Sequence, residues 1–305
     1  MHNYEKITNI LRIFCLKDDE FMGIHTDLAL EMREAAQHPD DGIICRSENG
    51  NGITVTHIEI QNERGERELQ RPIGNYITIE CEKDFRSVQY HDACIDVLLK
   101  NLRRLLCNAQ SVLVCGIGNR DITPDALGPM AAARILATRH ISKQLSETLG
   151  LGVLTPVTAI SPGVLGQTGI EVGEIIGGIV EKTQPDAVIA VDALAARSLS
   201  RLCSTVQISD TGIIPGSGVH NARSELSQNT LGVPVISIGV PTVVDLNTLS
   251  SDLCEGSAPV TNSEMIVTPR EIDTIIDHTA DIVSMGINRA LQPNLSQDDI
   301  AALIS

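Results

Sequence analysis

The 305-residue sequence predicts an α/β fold: a mostly parallel sheet flanked by helices, with a small β-rich antiparallel subdomain ahead of it. Three observations carry that prediction. Hydrophobic residues make up 42% of the chain, enough for a substantial core, and no apolar run approaches membrane-spanning length. Aromatic residues make up only 2%, and all of them (Tyr4, Phe14, Phe21, Tyr76, Phe85, Tyr90) precede His91. Most of the core is therefore Ile, Val, Leu and Ala, which suits parallel strands covered on both faces. Beyond Asp84, short apolar runs alternate with stretches of helical period, the pattern of a parallel sheet.

In chain order, residues 1–23 show no continuous periodicity and lack the basic, apolar and small-residue order of a signal peptide, so they read as an appended segment. Residues 26–37 are rich in helix formers. A β-rich block over about residues 42–82 follows, with strands at 43–45, 53–60 and 76–81, a turn at 48–52 and a charged turn at 62–68. The apolar phase moves from Ile53 and Val55 to Ile58 and Ile60, which suggests a bulge or a twist.

The main core, about residues 84–291, opens on a helix striped by Val88, Ile95, Leu98, Leu102 and Leu106. Strands are expected at 111–115, 152–160, 187–191, 205–208 and 235–240, and helices at 125–139 and 171–182. Thr168 and Glu171 are spaced as a capping box for the second of these helices. Thr268 and Pro269 supply a cap and a first-turn proline for a long helix near the C-terminus, and a last short helix starts near Ser296.

Asp and Glu outnumber Lys and Arg 39 to 23, a formal charge of -16, which argues against nucleic-acid binding. The lack of aromatic stacking platforms points the same way. Eight cysteines stand singly with no CxxC spacing, so they read as buried apolar residues in a reducing cytoplasm rather than as a zinc site or disulfide framework.

Two aspartates follow apolar strands, where open α/β sheets place their ligands: Asp125 after the strand ending at Cys115, and Asp192 after the strand ending at Val191. Brought to one sheet edge, two carboxylates can share a proton, one activating water and the other donating to a carbonyl or leaving amine. The alternative is structural, with Asp125 at the start of one helix and Asp192 capping another. Gly116, Gly118 and Asn119 form a tight turn that lacks the third glycine of a dinucleotide fingerprint, so a phosphate cradle is weakly indicated. The loops at Gly163 and at Gly216, Ser217 and Gly218 can present backbone N–H groups to a substrate, or can simply be turns. Asp210-Thr211-Gly212 matches a retroviral-type protease triplet in letters only, without the all-β surroundings.

Several blocks together resemble the germination protease family of endospore-forming bacteria: His25 to Glu31, Gly116 to Pro129, Ile160 to Glu171, Asp192 to Arg197, Asp210 to Gly218, and Ile238 to Asp245. The resemblance implies an α/β fold like that of the hydrogenase-maturation proteases and a homotetramer made as an inactive zymogen. It implies an endopeptidase of the spore core whose substrates are small acid-soluble spore proteins, with Asp125 and Asp192 as its two catalytic aspartates. It also makes residues 1–27 a propeptide, cut at Asp27-Leu28, and residues 28–305 the protease domain. Hydrogenase-maturation relatives hold a metal through acidic residues and a histidine; no counterpart of that histidine stands here, so neither metal nor cofactor is expected. The rival classes are a small-molecule hydrolase or phosphorylase using the Gly116 loop as an anion cradle, and a non-catalytic assembly protein.

Overall fold

The computed structural model describes residues 26–107, 109–216, 224–246, 249 and 265–304. Its strands are β1 (Ile43–Gly50), β2 (Ile53–Ile60), β3 (Gly74–Cys81), β4 (Val112–Gly116), β5 (Val157–Ile160), β6 (Ala187–Ala196), β7 (Thr205–Ser209), β8 (Val235–Asp245) and β9 (Ile266–Val267). The helices that matter below are α1 (Ala29–Ala35), α2 (Glu63–Leu69), α3 (His91–Leu106), α4 (Leu127–Ala132), α5 (Val172–Thr183), α6 (Ile272–Leu291) and α7 (Gln297–Ile304). The strands form one nine-stranded sheet in the order β1-β2-β3-β7-β8-β6-β4-β5, with β9 on β8.

Strands β8, β6, β4 and β5 are mutually parallel, whereas β7 runs antiparallel to β8, and β3, β2 and β1 continue antiparallel from it. The expected β-rich block is thus an extension of the main sheet, joined through Tyr76↔Ser209 to Glu80↔Thr205. Side-chain alternation splits the core into two layers. Val112, Val114, Ile189, Val191, Ile236 and Ile238 pack with α3 and α6 on one face. On the other, Leu113, Cys115, Val188, Ala190 and Val235 pack with Val172, Ile176 and Val180 of α5. Each such fully buried branched side chain contributes about 1.5–3 kcal/mol.

Local departures from the sequence expectation have identifiable causes. β2 keeps an unbroken register with both neighbours, so its phase shift is not a bulge. Its two ends are covered on opposite faces: Ile53 joins the α3/α6 layer, while Ile58 and Ile60 pack with Ala29, Leu30 and Met32 of α1. The charged stretch at 62–68 is a helix, α2, because Asn62 caps it by accepting from the N–H groups of Arg64 and Gly65. The helix expected to reach residue 139 stops at Ala132, where Asn288 of α6 captures the N–H of Leu136 and the carbonyl of Arg134. The capping box lies one turn later than expected, between Glu171 and Glu174, and the Thr168 hydroxyl bonds to Ile170 instead. Thr268 does not cap α6; its hydroxyl donates to the carbonyl of Thr242. Cys81 and Cys94 are free and buried, as the sequence reading has it, and they meet between β3 and α3 with their Sγ atoms 2.7 Å apart.

Candidate active site

The site lies at the carboxyl edge of the parallel strands. β4 ends at Gly116, paired with Val191, and β6 runs on past it to Ala196 because β8 continues to pair with it. Asp192 is therefore inside a strand, not after one, and caps no helix. Alternation puts its side chain on the face of Val188 and Ala190. It is 3% exposed, and its carboxylate accepts the N–H of Ala193 at 2.9 Å. Burial above all, and then the negative charge of Asp125, push its pKa well above the usual carboxylate range; Asp27 adds to the rise and the Ala193 N–H opposes it.

Asp125 closes a single helical turn, Thr123–Asp125, just before α4. It is half-buried, and its Oδ2 accepts the N–H of Asn119 at 2.7 Å. Burial raises its pKa as well, and the Asn119 bond opposes that rise. Glycines bring this loop against β6. Gly118 has φ +116°, and a Cβ there would lie 2.2 Å from the Asp125 carbonyl oxygen. A Cβ on Gly128 would lie 2.1 Å from the carbonyl oxygen of Ile117 and 2.4 Å from that of Val191.

The Gly116 turn is not an open anion cradle. The N–H of Ile117 donates to the Val191 carbonyl, and that of Asn119 is taken by Asp125. An anion there would also face two carboxylates. The Gly163 loop reaches the same place through Gln167, whose Nε2 donates to Asn119 Oδ1 at 2.8 Å and to Asp121 Oδ2 at 3.2 Å. Gly216 lies beyond the Ile213–Leu226 bridge, and Ser217 and Gly218 fall outside the described residues. Asp210 anchors a turn: its carboxylate accepts both the backbone and the side-chain N–H of Asn75, each at 2.7 Å. Among the described residues, no three His, Cys, Asp or Glu side chains form a group able to hold a metal. No helix among them is long and apolar enough to cross a membrane.

Beside Asp192 the segment Thr26 to Glu31 docks on the end of β6. Asp27 donates its N–H to the Ala195 carbonyl at 2.9 Å and accepts the Ala195 N–H on its carboxylate at 2.8 Å. Leu28 is fully buried against Leu194, Ala196 and Val244. Leu194 and Ala196 follow Asp192 at two-residue steps, so Leu28 packs on the face that carries Asp192. Glu31, 2% exposed, accepts the N–H groups of Arg197 (2.7 Å) and Ser198 (2.9 Å) and the hydroxyl of Thr26. Arg201 stands 3.6 Å from it and also pairs with Glu34 and Glu80. A cleft lined by Asp27, Arg71, Tyr76, Leu194, Gln207 and Gly239 opens next to this segment.

Gln207 and Arg201 were not singled out from sequence. Gln207 had a readable signal, since Thr205, Gln207 and Ser209 alternate with Val206 and Ile208 in a strand buried on both faces. Arg201 sits in a short turn with no pattern around it.

The germination protease family model matches residues 23–257, a span holding both aspartates and the docked segment. The germination protease of Caldanaerobacter subterraneus subsp. tengcongensis is 40% identical over 321 residues, covering 93% of this chain and 98% of its own. That of Clostridium tetani is 39% identical, covering 93% and 100%, and that of a Geobacillus species 36%, covering 92% and 97%. A [NiFe] hydrogenase maturation protease, HycI from Thermococcus kodakarensis, superposes with a TM-score of 0.36 at 18% identity, covering 61% of this chain and 98% of its own. With the family model spanning most of the chain and relatives matched nearly end to end, the chain belongs to the germination protease family.

Proposed function

We propose that the chain is an endopeptidase zymogen that cuts its own Asp27-Leu28 bond with Asp125 and Asp192. Once cut, it would hydrolyse small acid-soluble spore proteins at acidic-apolar-Ala sites in the spore core, as a homotetramer. One observation carries this reading: Asp27 is tied to Ala195 of β6 by one main-chain bond and one bond to its carboxylate, Leu28 packs on the β6 face that carries Asp192, and Asp27 is near enough to raise the Asp192 pKa.

The two environments suggest the roles. Asp192, more deeply buried and facing the charge of Asp125, is the protonated member. Asp125, whose charge the Asn119 N–H supports, is the ionised one. Asp125 takes a proton from water as the water oxygen bonds to the Asp27 carbonyl carbon. Asp192 gives its proton to the Leu28 nitrogen as the C–N bond breaks. The products are a C-terminal carboxyl on Asp27 and an amine on Leu28, and the proton held by Asp125 passes back to solvent or to Asp192. The engaged N–H groups of the Gly116 turn disfavour the anion-cradle alternative.

Asp192→Asn, an isosteric change that keeps an acceptor for the Ala193 N–H, tests the reading. Intact-mass measurement during incubation is expected to show self-cleavage slowed on the order of 10²–10⁴-fold, the range for loss of a general acid or base. Cleavage at the wild-type rate would reject the two-aspartate site. Sedimentation of the wild-type chain checks the tetramer.

A further inference from the structure

Gln207 grips the segment on both sides of the bond to be cut. Its Nε2 donates to the carbonyl oxygen of Asp27 at 3.1 Å, and its Oε1 accepts the N–H of Ala29 at 2.7 Å. The Asp27 carbonyl belongs to the Asp27-Leu28 peptide, so one side-chain amide spans the scissile bond. Sheet register places Gln207 opposite the catalytic carboxylate. Gln207 pairs with Gly239 on β8, and Gly239 pairs on its other side with Asp192. Residues in one register row point to the same face, so Gln207 and Asp192 look out from strands roughly 10 Å apart, two strand spacings. The residue between them has no side chain. The Leu194 side chain fills the space above it, since a Cβ on Gly239 would lie 2.4 Å from Leu194 Cδ1, and Leu28 of the docked segment packs on Leu194 between the carboxyl group and the amide.

We propose that Gln207 is the carbonyl-holding catalytic residue of the cleavage reaction, donating from Nε2 to the Asp27 carbonyl oxygen where negative charge develops, while Oε1 fixes the Ala29 N–H. The proposal rests on the self-cleavage reading above and deepens it. Attack of water on the carbonyl carbon moves an electron pair onto that oxygen, and collapse returns the pair as the C–N bond breaks. A buried, neutral donor aimed at the oxygen stabilises this stage more than the starting amide. Gln207 is 7% exposed and rooted in the middle of a strand, so its aim is fixed before reaction. A neutral amide also suits a slot already crowded with Asp27, Asp125 and Asp192, where another carboxylate would repel the developing charge.

The test uses two full-length variants, with self-cleavage followed by intact mass and with kcat and KM measured on a peptide containing Thr-Asp-Leu-Ala-Leu-Glu. Gln207→Met keeps length and neutrality but has no donor. It is expected to lower kcat and the self-cleavage rate on the order of 10²–10³-fold at every pH, as loss of one oxyanion donor does, with a smaller change in KM. Gln207→Glu keeps the acceptor for Ala29 and loses the donor while ionised. Its deficit relative to wild type should shrink as pH falls and the protonated carboxyl regains an O–H to donate, a recovery that a packing defect would not show. Gln207→Met cutting at the wild-type rate, or a Gln207→Glu deficit that does not change with pH, overturns the assignment. Asp192→Asn run in parallel separates the two levels. If it is inert while Gln207→Met is unimpaired, only the role of Gln207 falls; if Asp192→Asn cuts normally, the aspartate reading falls and takes this one with it.

Discussion

In β4 and β6, at the centre of the parallel half, every side chain is apolar except that of Asp192. In β7, where the sheet turns antiparallel, Thr205, Gln207 and Ser209 alternate with Val206 and Ile208, and all five are buried. On the proposed function, the contrast corresponds to two tasks. Aliphatic surroundings keep a carboxyl group protonated at a pH where an exposed one would be ionised. Neutral hydrogen-bonding groups on β7 can take hold of a peptide backbone, which needs a donor and an acceptor side by side and no net charge. β8, shared by both halves, separates the two with a glycine at the row they have in common.

Three changes of decreasing size test that division. Gly128→Ala attacks the parallel half, because its Cβ would strike backbone oxygens on both sides. A cost of about 1–3 kcal/mol is expected, read as a lower urea midpoint, together with loss of cleavage as the Asp125 loop is displaced from β6. Glu31→Gln attacks only the docking of the segment. A side-chain amide offers one acceptor where two backbone N–H groups and a hydroxyl now find a carboxylate. Self-cleavage should slow roughly tenfold, equivalent to about 1.4 kcal/mol, with a smaller fall in the urea midpoint than Gly128→Ala produces. An equal loss of stability in both variants would show that the two halves are not separable.

The smallest effect has the opposite sign. The Asp192 pKa is raised in the folded chain, so ionisation is disfavoured there relative to the unfolded chain. The resulting destabilisation is absent below the ordinary Asp pKa, grows as pH rises towards the folded value and is complete above it. Asp192→Asn removes it. Its Tm at neutral pH should exceed that of wild type. The gain should vanish in acid, and calorimetry at two pH values reads both. A variant less stable than wild type at neutral pH would mean that the buried carboxylate is better compensated than its surroundings indicate.

The sequence made the parallel half readable because apolar strands of regular spacing are local patterns, and both aspartates stood out against them. It did not disclose how far β6 and β8 extend, since Asp192 and Pro241 interrupt the apolar runs while strand pairing continues through them. Nor did it foretell α2, where a single asparagine cap turns a charged loop into a helix. Gln207 was hidden for a different reason. Its partners, Asp27 and Ala29, are 180 and 178 residues away, and only strand order brings them together.

That separation has a consequence for biosynthesis. The bond between Asp27 and Leu28 leaves the ribosome early, but the strand residues that hold it, Ala195 and Gln207, are made much later, and β8, which lies between their strands, later still. Contacts of such long range form late in folding. On the self-cleavage reading, a nascent or truncated chain cannot present the bond, and the leader stays attached until the sheet has closed around it. The presence or absence of the leader would then report, molecule by molecule, whether folding had finished.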